Sequence, residues 1–375
     1  MKPVILWSDA LFFLLIAATL GGAWWARRQD HVRAAWSRVW ASRRARVAAA
    51  VLAVFFAIGF VDSLHYRPQL PAETGKPPAY SVEVLSALDA LLLPLKTRTE
   101  KTYSEPLATH LFAKETIEEG GRDFPALKHP GTHLFGTDKV GQDVLYLTLK
   151  SIRTGLLIGT LTTLIMLPAA VLLGIVAGYV GGWVDDVIQY LYTTLNSIPG
   201  VLLIAAAVLM MQVIIDTHPE WFATAAERAD ARLLALCAIL GVTSWTGLCR
   251  LLRGETLKLR EMEYVQAARA FGVGPLAIML RHILPNVMHI VLIAIVMDFS
   301  GLVLAEAVLS YVGIGVDPST ISFGTMINAA RLELAREPMV WWSLAAAFVF
   351  MFVLVLAANL FADAVSDAFD PRAAK

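Results

Sequence analysis

Two carboxylic acids, Asp298 and Glu306, stand inside one long apolar run of the sequence, residues 287–312. An ionised carboxylate at the centre of a lipid bilayer costs about 2.5–3.5 kcal/mol on insertion scales, so it normally faces water or a partner. We therefore predict that Asp298, near the middle of the run, lines a polar path across a membrane. A protonated, hydrogen-bonded carboxyl inside the protein is the alternative. Glu306 lies nearer the end of the run, where a gate and a packing role are both open.

A second polar interruption occurs in the apolar run 187–214, where Asn196 and Ser197 precede Ile198 and Pro199. Proline lacks an N–H and therefore frees a backbone carbonyl of the preceding turn, and the two polar side chains supply hydrogen bonds there. Irregular backbone at membrane depth is tolerated where it faces protein or a water-filled cavity. The sequence therefore predicts a kink that faces a pore or another part of the protein.

A strongly charged stretch of the second half, residues 253–285, lies between two apolar runs. Four of its residues recur at helical spacing: Tyr264, Ala267, Ala268 and Phe271. That spacing predicts a short helix with one smooth face, on which the alanines permit close approach and the aromatic rings supply anchors. We predict that this helix docks on a partner at the membrane surface. The alternative is an interfacial helix that rests on lipid, with its arginines against the headgroups.

Glycine and proline mark the ends of this docking helix. Gly272 and Gly274-Pro275 are predicted to stop it, because glycine relaxes the backbone and proline forbids continuation. A second helical run, residues 276–283, is predicted to end at Leu284-Pro285. The pattern therefore predicts a helix, a turn and a second helix between the two apolar runs.

Other residues that could bind a metal or react chemically do not form recognisable sites in the sequence. His110, His129 and His133 lack the spacing of metal ligands and are expected to be solvated. The two cysteines, Cys237 and Cys249, fall in or beside one apolar run, which favours packing over a disulfide. The sequence contains no GxxxxGK[ST], HExxH or CxxC motif. We expect no nucleotide, metal or nucleic acid to bind to this chain by itself.

The composition places these residues in a membrane protein. Of 375 residues, 57% are hydrophobic and 17% are charged, and the mean hydropathy is +0.62. Soluble domains carry about 25% charged residues. A membrane-spanning helix needs about 20 mainly apolar residues, and seven runs meet or approach that length. The predicted spans are residues 4–25, 46–64, 152–178, 187–214, 232–251, 287–312 and 340–362.

Charges in the connecting segments predict the orientation of the spans. Residues 26–46 contain seven arginines against one acid, Asp30, and residues 253–285 are also basic, so both segments are predicted to be cytoplasmic. The acidic segment 215–231 is one span away and is predicted to lie outside. The N-terminus is therefore expected outside and the C-terminus inside. The arginines follow the first apolar run, which favours an uncleaved anchor over the alternative of a cleaved signal peptide.

These spans divide the chain into three predicted regions. Residues 1–64 form an N-terminal transmembrane hairpin with a basic cytoplasmic loop, and residues 151–375 form the core, with the docking segment at 253–286. Residues 65–150 form an external segment that we expect to pack as a small cap. In this cap Ser81 is predicted to begin a helix whose apolar stripe runs to Leu95.

Several stretches, taken together, resemble the permeases of ABC importers over about residues 130–375. The EAA motif of that family is similar to Gln266-Ala267-Ala268, Gly272 and His282-Ile283-Leu284-Pro285, with the spacing kept. Its details point to the dipeptide, oligopeptide and nickel branch, and within it to the second, DppC/OppC-like subunit. Four more stretches agree: HLFGTDKVGQD at 133–143, GYVGGWVD at 178–185, EAVLSYVGIG at 306–315 and DAFDPR at 367–372.

The resemblance implies an all-α polytopic membrane protein, a type I permease with six core transmembrane helices, to which this chain adds one N-terminal helix. It implies a bacterial inner-membrane subunit that forms half of a translocation pathway for short peptides, with nickel or opine-like solutes as alternatives. The implied partners are membrane lipid, a homologous second permease (DppB/OppB-like), two ATP-binding subunits and an extracytoplasmic solute-binding protein. ATP and Mg would bind to the ATPases, so this chain would be no enzyme and hold no cofactor.

The resemblance also assigns roles to the residues singled out above. Coupling to the ATPases would involve Tyr264, Gln266, Ala267, Ala268, Phe271, Gly272, Leu284 and Pro285. The pathway would be lined by Asp298, Glu306, Asn196 and Ser197. A proton-coupled secondary transporter is the alternative class, but the sequence shows no internal repeat of the kind that class usually has. A membrane enzyme would need a nucleophile–base or metal-ligand constellation, and the sequence shows none.

The chain departs from the family pattern at a few positions. Gln266 replaces the glutamate of the EAA motif, which keeps its size and hydrogen bonding but removes its charge. Tyr190 and Thr193 stand where the family usually has arginine and aspartate, and Asp298 stands where a small or apolar residue is usual. These departures concern the details of gating rather than the family.

Overall fold

A computed structural model describes residues 2–26, 28, 30–70, 80–116 and 122–369. Among these residues six helices are long and apolar enough to cross a membrane. They are Arg43–Asp62, Val144–Val180, Gly200–Thr217, Ala225–Arg260, Pro275–Val312 and Trp342–Phe369. They correspond to six of the seven predicted spans and confirm the all-α polytopic fold. The first predicted span corresponds to a helix, Trp7–Ala26, whose apolar stretch Trp7–Gly22 is shorter than the other six.

The elements are numbered in chain order, and two of the predicted spans, 187–214 and 232–251, each consist of two consecutive helices. The helices are α1 Trp7–Ala26, α2 Asp30–Ala41, α3 Arg43–Asp62, α4 Ala87–Leu91, α5 Leu93–Thr97, α6 Val144–Val180, α7 Gly182–Ser197, α8 Gly200–Thr217, α9 Ala225–Ser244, α10 Thr246–Arg260, α11 Glu263–Ala270, α12 Pro275–Ile278, α13 Leu284–Val312, α14 Phe323–Arg331 and α15 Trp342–Phe369. The strands are β1 Lys2–Val4, β2 His65–Arg67, β3 Leu85–Ser86, β4 Glu115–Thr116 and β5 Arg122–Asp123.

Contacts at the two ends of the helices define two faces of the bundle. On one face β1 pairs antiparallel with β2, and β2 with β3, so the N-terminus lies beside the segment that follows α3. At the other end Trp36 of α2 packs on Phe361 and Phe369 of α15, with ring centroids 6.4 and 6.0 Å apart. Following the predicted orientation, the first face is called the outer face and the second the inner face.

The centre of the bundle is the long helix α6, which packs on α3, α9, α10 and α13. Gly178 lets α6 and α10 approach closely, because a Cβ atom there would lie 2.7 Å from the backbone oxygen of Arg253. Apolar residues of α6, α10 and α13 form a continuous buried cluster around Met166, Leu252 and Val287. Burial of such side chains is the main favourable term in packing these helices.

The external segment is joined closely to the membrane helices at the outer face. The Trp342 indole Nε1–H of α15 donates to the Thr137 backbone oxygen at 2.9 Å, and its ring meets Phe112 edge-on at 4.9 Å. Lys150 Nζ of α6 lies 2.7 Å from Asp62 Oδ1 and 3.2 Å from Asp89 Oδ1. The segment is therefore continuous with the core.

The helix predicted to begin at Ser81 begins instead at Ser86. The Ser86 hydroxyl accepts from the Asp89 N–H, and the Asp89 carboxylate accepts from the Ser86 N–H, which forms a capping box. Burial raises the pKa of the Asp89 carboxyl, but the charge of Lys150 and hydrogen bonds from Ser86 and Tyr146 outweigh it, so the pKa is lowered. The prediction was wrong because residues 85–86 pair with β2 and delay the start of the helix.

Two predicted helix boundaries also differ from the structure. The run 187–214 forms two helices, because the backbone is extended at Ile198 and Pro199, so the predicted kink is a complete break. Leu284-Pro285 was predicted to end a helix, but the helix continues from Pro275 to Val312. A π turn at Met279–Ile283 precedes Pro285, which sits at the first turn of α13, where its missing N–H costs little.

Candidate coupling helix and membrane path

The predicted docking helix is present as α11, Glu263–Ala270, at the inner face. α10 ends at Arg260, and the Glu261 and Met262 N–H groups donate back to the last carbonyls of α10. After α11 the Phe271 N–H donates to the Ala267 oxygen at 2.9 Å and the Gly272 N–H donates to the Arg269 oxygen at 3.0 Å. Gly272 has φ +81°, which only glycine adopts readily. The helix is thus closed by the glycine that the sequence predicted.

α11 has one face against the protein and one face open. Val265 is 1% exposed and Ala268 is 9% exposed, and both belong to the buried cluster of α6, α10 and α13. Tyr264, Ala267 and Phe271 are exposed, and Phe271 reaches 87%. Ala268 was predicted to lie on the docking face, but the structure turns it inward, three residues after Val265. The open face therefore consists of Tyr264, Ala267 and Phe271.

A groove of about 330 Å³ runs beside α11. Its polar lining comes from Arg260, Glu261, Gln266 and Arg269. Gln266 Nε2 donates to the Glu261 backbone oxygen at 3.3 Å and lies 3.4 Å from Glu261 Oε2. The amide of Gln266 is therefore held at the N-terminal end of α11, and its side chain stays exposed.

The base of α13 is tied to α11 by one side chain. Asn286 Nδ2 donates to the Tyr264 hydroxyl at 3.2 Å and to the His282 backbone oxygen at 2.5 Å. Burial raises the pKa of the Tyr264 hydroxyl, which therefore stays protonated at neutral pH. Leu284 is half-buried and Pro285 is exposed. A displacement of α11 would therefore also displace the start of α13.

A bidentate ion pair joins α7 to α10 near the same face. Arg253 Nε donates to Asp185 Oδ1 at 2.6 Å, and Arg253 Nη2 donates to Asp185 Oδ2 at 2.7 Å. The hydrogen bond from Arg253, together with its charge and a bond from Gln189, outweighs burial and lowers the pKa of the Asp185 carboxyl. Planar two-point contacts of this kind fix orientation as well as distance. The ion pair therefore fixes α7 to α10, the helix that directly precedes α11.

The membrane acids lie in different environments. Asp298 is half-buried, and among the described residues it makes no hydrogen bond within the chain. Its neighbours Met297 and Gly301 are exposed, so this side of α13 is open. Glu306 is 1% exposed and accepts hydrogen bonds from the Ser310 and Ser322 hydroxyls at 2.7 and 2.8 Å. The packing of Glu306 holds α14 against α13, which favours the packing role of the two left open by the sequence.

Asn196 and Ser197 are exposed at the end of α7. Asn196 Oδ1 accepts from the Thr246 hydroxyl of α10 at 3.0 Å, and the Ser197 hydroxyl donates to the Thr194 backbone oxygen at 2.7 Å. The described structure shows no hydrogen bond between these residues and Asp298. The two polar positions therefore remain separate features of the open surface.

The sequence did not predict a polar network at the outer ends of α1, α6 and α9. Arg153 Nη2 donates to Asp9 Oδ1 at 2.5 Å, and His65 Nδ1 lies 2.7 Å from Asp9 Oδ2. The Ser8 N–H and the Ser8 hydroxyl both donate to the Asp230 carboxylate, and the Ser8 hydroxyl accepts from Arg153 Nη2. The available signal was the polar pair Ser8-Asp9 at the start of an apolar run, which could be matched to distant partners only in the folded chain. This network fixes α1 to the core.

The three histidines of the external segment are separated in the structure. His133 was expected to be solvated, but it is buried. Its Nδ1 lies 2.9 Å from Asp143 Oδ2 and its Nε2 lies 3.6 Å from Glu100 Oε1. His110 Nδ1 bonds to the Thr109 hydroxyl at 2.8 Å. Within residues 2–70, 80–116 and 122–369, apart from positions 27 and 29, no group of three or more metal-ligand side chains occurs.

The chain is similar to known transport proteins over more than half of its length. Residues 170–375, more than half of the chain, match the family described as "Binding-protein-dependent transport system inner membrane component". The oligopeptide transport system permease protein OppC of Mycobacterium tuberculosis is 34% identical over 251 residues, 66% of this chain and 80% of the relative.

Two further relatives carry related names. The dipeptide transport system permease protein DppC of Bacillus subtilis is 27% identical over 266 residues, 71% of this chain and 75% of the relative. The glutathione transport system permease protein GsiD of Pectobacterium atrosepticum is 31% identical over 242 residues, 64% of this chain and 73% of the relative. With six candidate membrane-spanning helices and this family match, the chain belongs to the binding-protein-dependent inner membrane components, as a multi-pass permease subunit of an ABC importer.

Proposed function

We propose that this chain forms half of the pathway by which short peptides cross a bacterial inner membrane. Similarity to permeases named for oligopeptide, dipeptide and glutathione transport supports the substrate class, because all three names denote short peptides. The chain pairs with a homologous second permease, two ATP-binding subunits and an extracytoplasmic solute-binding protein. Its N-terminus lies outside and its C-terminus in the cytoplasm. ATP hydrolysis, with Mg, takes place on the ATPases.

The observation that carries the proposal is the open face of α11. A helix of eight residues buries Val265 and Ala268 inside the protein and leaves Phe271 87% exposed beside Tyr264 and Ala267. An exposed aromatic ring of this kind is a common anchor of protein interfaces. Through Asn286 the same helix contacts the base of α13, which carries Asp298. Nucleotide-driven movement of a docked ATPase would therefore reach the membrane helix that faces the pathway.

The polar path is proposed to run along the open side of α13 and the break between α7 and α8. Asp298 is half-buried without a hydrogen bond among the described residues, and Asn196 and Ser197 are exposed where the helix is interrupted. Water or a partner helix on these surfaces would satisfy the carboxylate. Glu306 contributes by holding α14 at the outer end of α13.

Site-directed cross-linking tests the docking directly. Ala267→Cys places a thiol on the open face of α11, while the native Cys237 and Cys249 are both buried and should not react. In the assembled complex we expect the new cysteine to cross-link to an ATP-binding subunit and to lose reactivity toward a water-soluble maleimide by about tenfold.

A matched variant provides the control. Val82→Cys puts an exposed thiol on the external segment, where Val82 is 76% exposed. Its reactivity should not change when the ATPases are present. If Ala267→Cys remained as reactive in the complex as in the isolated chain, α11 would not be the docking element.

A further inference from the structure

A basic patch covers the inner face at the N-terminal end of the chain. It comprises six arginines and two tryptophans, all exposed: Trp24, Arg28, Arg33, Arg38, Trp40, Arg43, Arg44 and Arg46. In the sequence, residues 26–46 contain one acid, Asp30. Two further acids, Asp363 and Asp367, lie toward the end of α15 on which α2 packs. Within the described chain, none of the six arginines forms a salt bridge with a carboxylate. The patch therefore keeps a net positive charge.

The connection between helices fixes the depth of this patch. α2 begins four residues after α1 ends, and α3 begins two residues after α2 ends. α1 and α3 are apolar and run antiparallel, with Phe12 stacked on Phe56 at 6.4 Å and Phe13 edge-on to Phe60 at 5.7 Å. A helix held between the ends of two apolar helices has to lie at the membrane surface.

α2 is fixed on the protein side and open on the other side. Val39 is buried in one cluster with Ala45 and Val365, and Ala35 is also buried. The Trp36 ring packs on the end of α15. Trp40 lies two turns after Arg33 and is 51% exposed, so an aromatic ring and a guanidinium share the open side. Arg28 stacks over the Trp24 ring at 3.7 Å. Tryptophan with arginine at this depth is the side-chain combination that meets lipid headgroups.

We propose that the basic patch binds the headgroups of anionic phospholipids. The guanidinium groups would form bidentate hydrogen bonds with phosphate oxygens, and the two indoles would lie at the boundary between headgroups and acyl chains. Because Trp36 joins α2 to Phe361 and Phe369, bound lipid also fixes the inner end of α15. The proposal concerns the N-terminal elements, which lie outside the matched family region, and does not depend on the transported substrate.

Native mass spectrometry of the purified chain with defined lipids tests this. Phosphatidylglycerol and phosphatidylcholine with identical acyl chains are titrated separately, and the bound lipids are counted. We expect the wild-type chain to bind more phosphatidylglycerol than phosphatidylcholine. In Arg33→Gln/Arg38→Gln the affinity for phosphatidylglycerol should fall by about fivefold per arginine removed, since each basic residue near a charged surface contributes about 1 kcal/mol. Arg43, Arg44 and Arg46 remain and preserve the orientation.

Two variants complete the experiment. Arg33→Lys/Arg38→Lys keeps the charge and should retain most of the preference. Lys101→Gln/Lys139→Gln removes two exposed charges from the outer face and should leave the preference unchanged. A wild-type chain without preference for phosphatidylglycerol would overturn the proposal without any variant. So would a glutamine variant that binds phosphatidylglycerol normally but loses the ATP-binding subunits, because the patch would then be an ATPase contact.

Discussion

Asp298 and Glu306, two acids on one helix, have different surroundings, and these surroundings separate their roles. Glu306 is buried and accepts hydrogen bonds from two hydroxyl groups, so its hydrogen-bonding partners lie within the protein. Asp298 is half-buried beside exposed positions and makes no hydrogen bond among the described residues. An acid of that kind at membrane depth needs water, a ligand or a partner chain. The eight residues between them along α13 therefore separate an enclosed packing group, Glu306, from the acid that we propose lines the pathway, Asp298.

Replacement of Asp298 tests the pathway assignment. Asp298→Asn removes the charge and keeps the shape, so peptide uptake by the assembled transporter should fall by about tenfold, the change that about 1.4 kcal/mol produces in a rate. Uptake of labelled peptide into cells or proteoliposomes measures it. The amount of assembled complex serves as the control, since Asp298 contributes no hydrogen bond to the described fold. Unchanged uptake would remove Asp298 from the pathway.

At the scale of elements, the sequence predicted which segments are helical better than how they end. Apolar run length located six spans, and glycine spacing located the end of α11 at Gly272. The prediction that Pro285 ends a helix was wrong, because a π turn before it places the proline in the first turn of α13. The local sequence contains no signal for that turn. The inward direction of Ala268 depends on packing against α6 and α10, which spacing alone does not give.

The ion pair between α7 and α10 gives a prediction for pH. The lowered pKa of Asp185 means that its carboxylate stabilises the fold above the ordinary value of 3.8, and this stabilisation is lost as the pH falls through the lowered pKa. Asp185→Asn should reduce the unfolding free energy at neutral pH by about 1.5–3 kcal/mol, because Arg253 loses its charged acceptor. Thermal unfolding of the detergent-solubilised protein measures the difference.

The pH dependence distinguishes this account from a general packing defect. The difference in unfolding midpoint between wild type and Asp185→Asn should be constant from neutral pH down to about 5 and should shrink below about 4. The variant Asp186→Asn is the matched control, because Asp186 is exposed on the same turn and forms no described ion pair. A difference between wild type and Asp185→Asn that persists unchanged at low pH would contradict the ion-pair explanation.

At the scale of the whole molecule, the external segment and the membrane helices form one structure. The sequence predicts residues 65–150 to be an external cap. In the structure Trp342 of α15 is 2% exposed, and its indole N–H donates to the Thr137 backbone oxygen within that segment. Lys150 of α6 binds Asp89 of the external segment as well as Asp62 of α3. Contacts over such sequence distances are set by the folded arrangement, so hydropathy could predict the segment but not its attachment.

Trp342 therefore should contribute strongly to stability. Trp342→Ala removes a fully enclosed ring and should cost about 3–5 kcal/mol. Trp342→Phe keeps most of the packing against Phe112 and loses the hydrogen bond to Thr137, which should cost about 1 kcal/mol. The unfolding midpoint followed by size-exclusion chromatography of heated samples gives both values. Equal small losses in the two variants would show that the external segment is attached loosely.

We propose that α11 transmits ATP hydrolysis to the peptide pathway, and one variant tests this role most directly. Gly272 has φ +81° and donates its N–H to Arg269, and a Cβ atom there would meet no neighbour within 4 Å. Proline cannot adopt that φ and has no N–H, so Gly272→Pro should misdirect α11 while the membrane helices still insert.

The measurement is peptide uptake and ATP hydrolysis by the complete transporter in proteoliposomes, recorded on the same preparation. Wild type should hydrolyse ATP and accumulate peptide in proportion. Gly272→Pro should lose uptake by at least about tenfold relative to the hydrolysis that remains. A Gly272→Pro transporter that keeps the wild-type ratio of peptide imported to ATP hydrolysed would contradict the account.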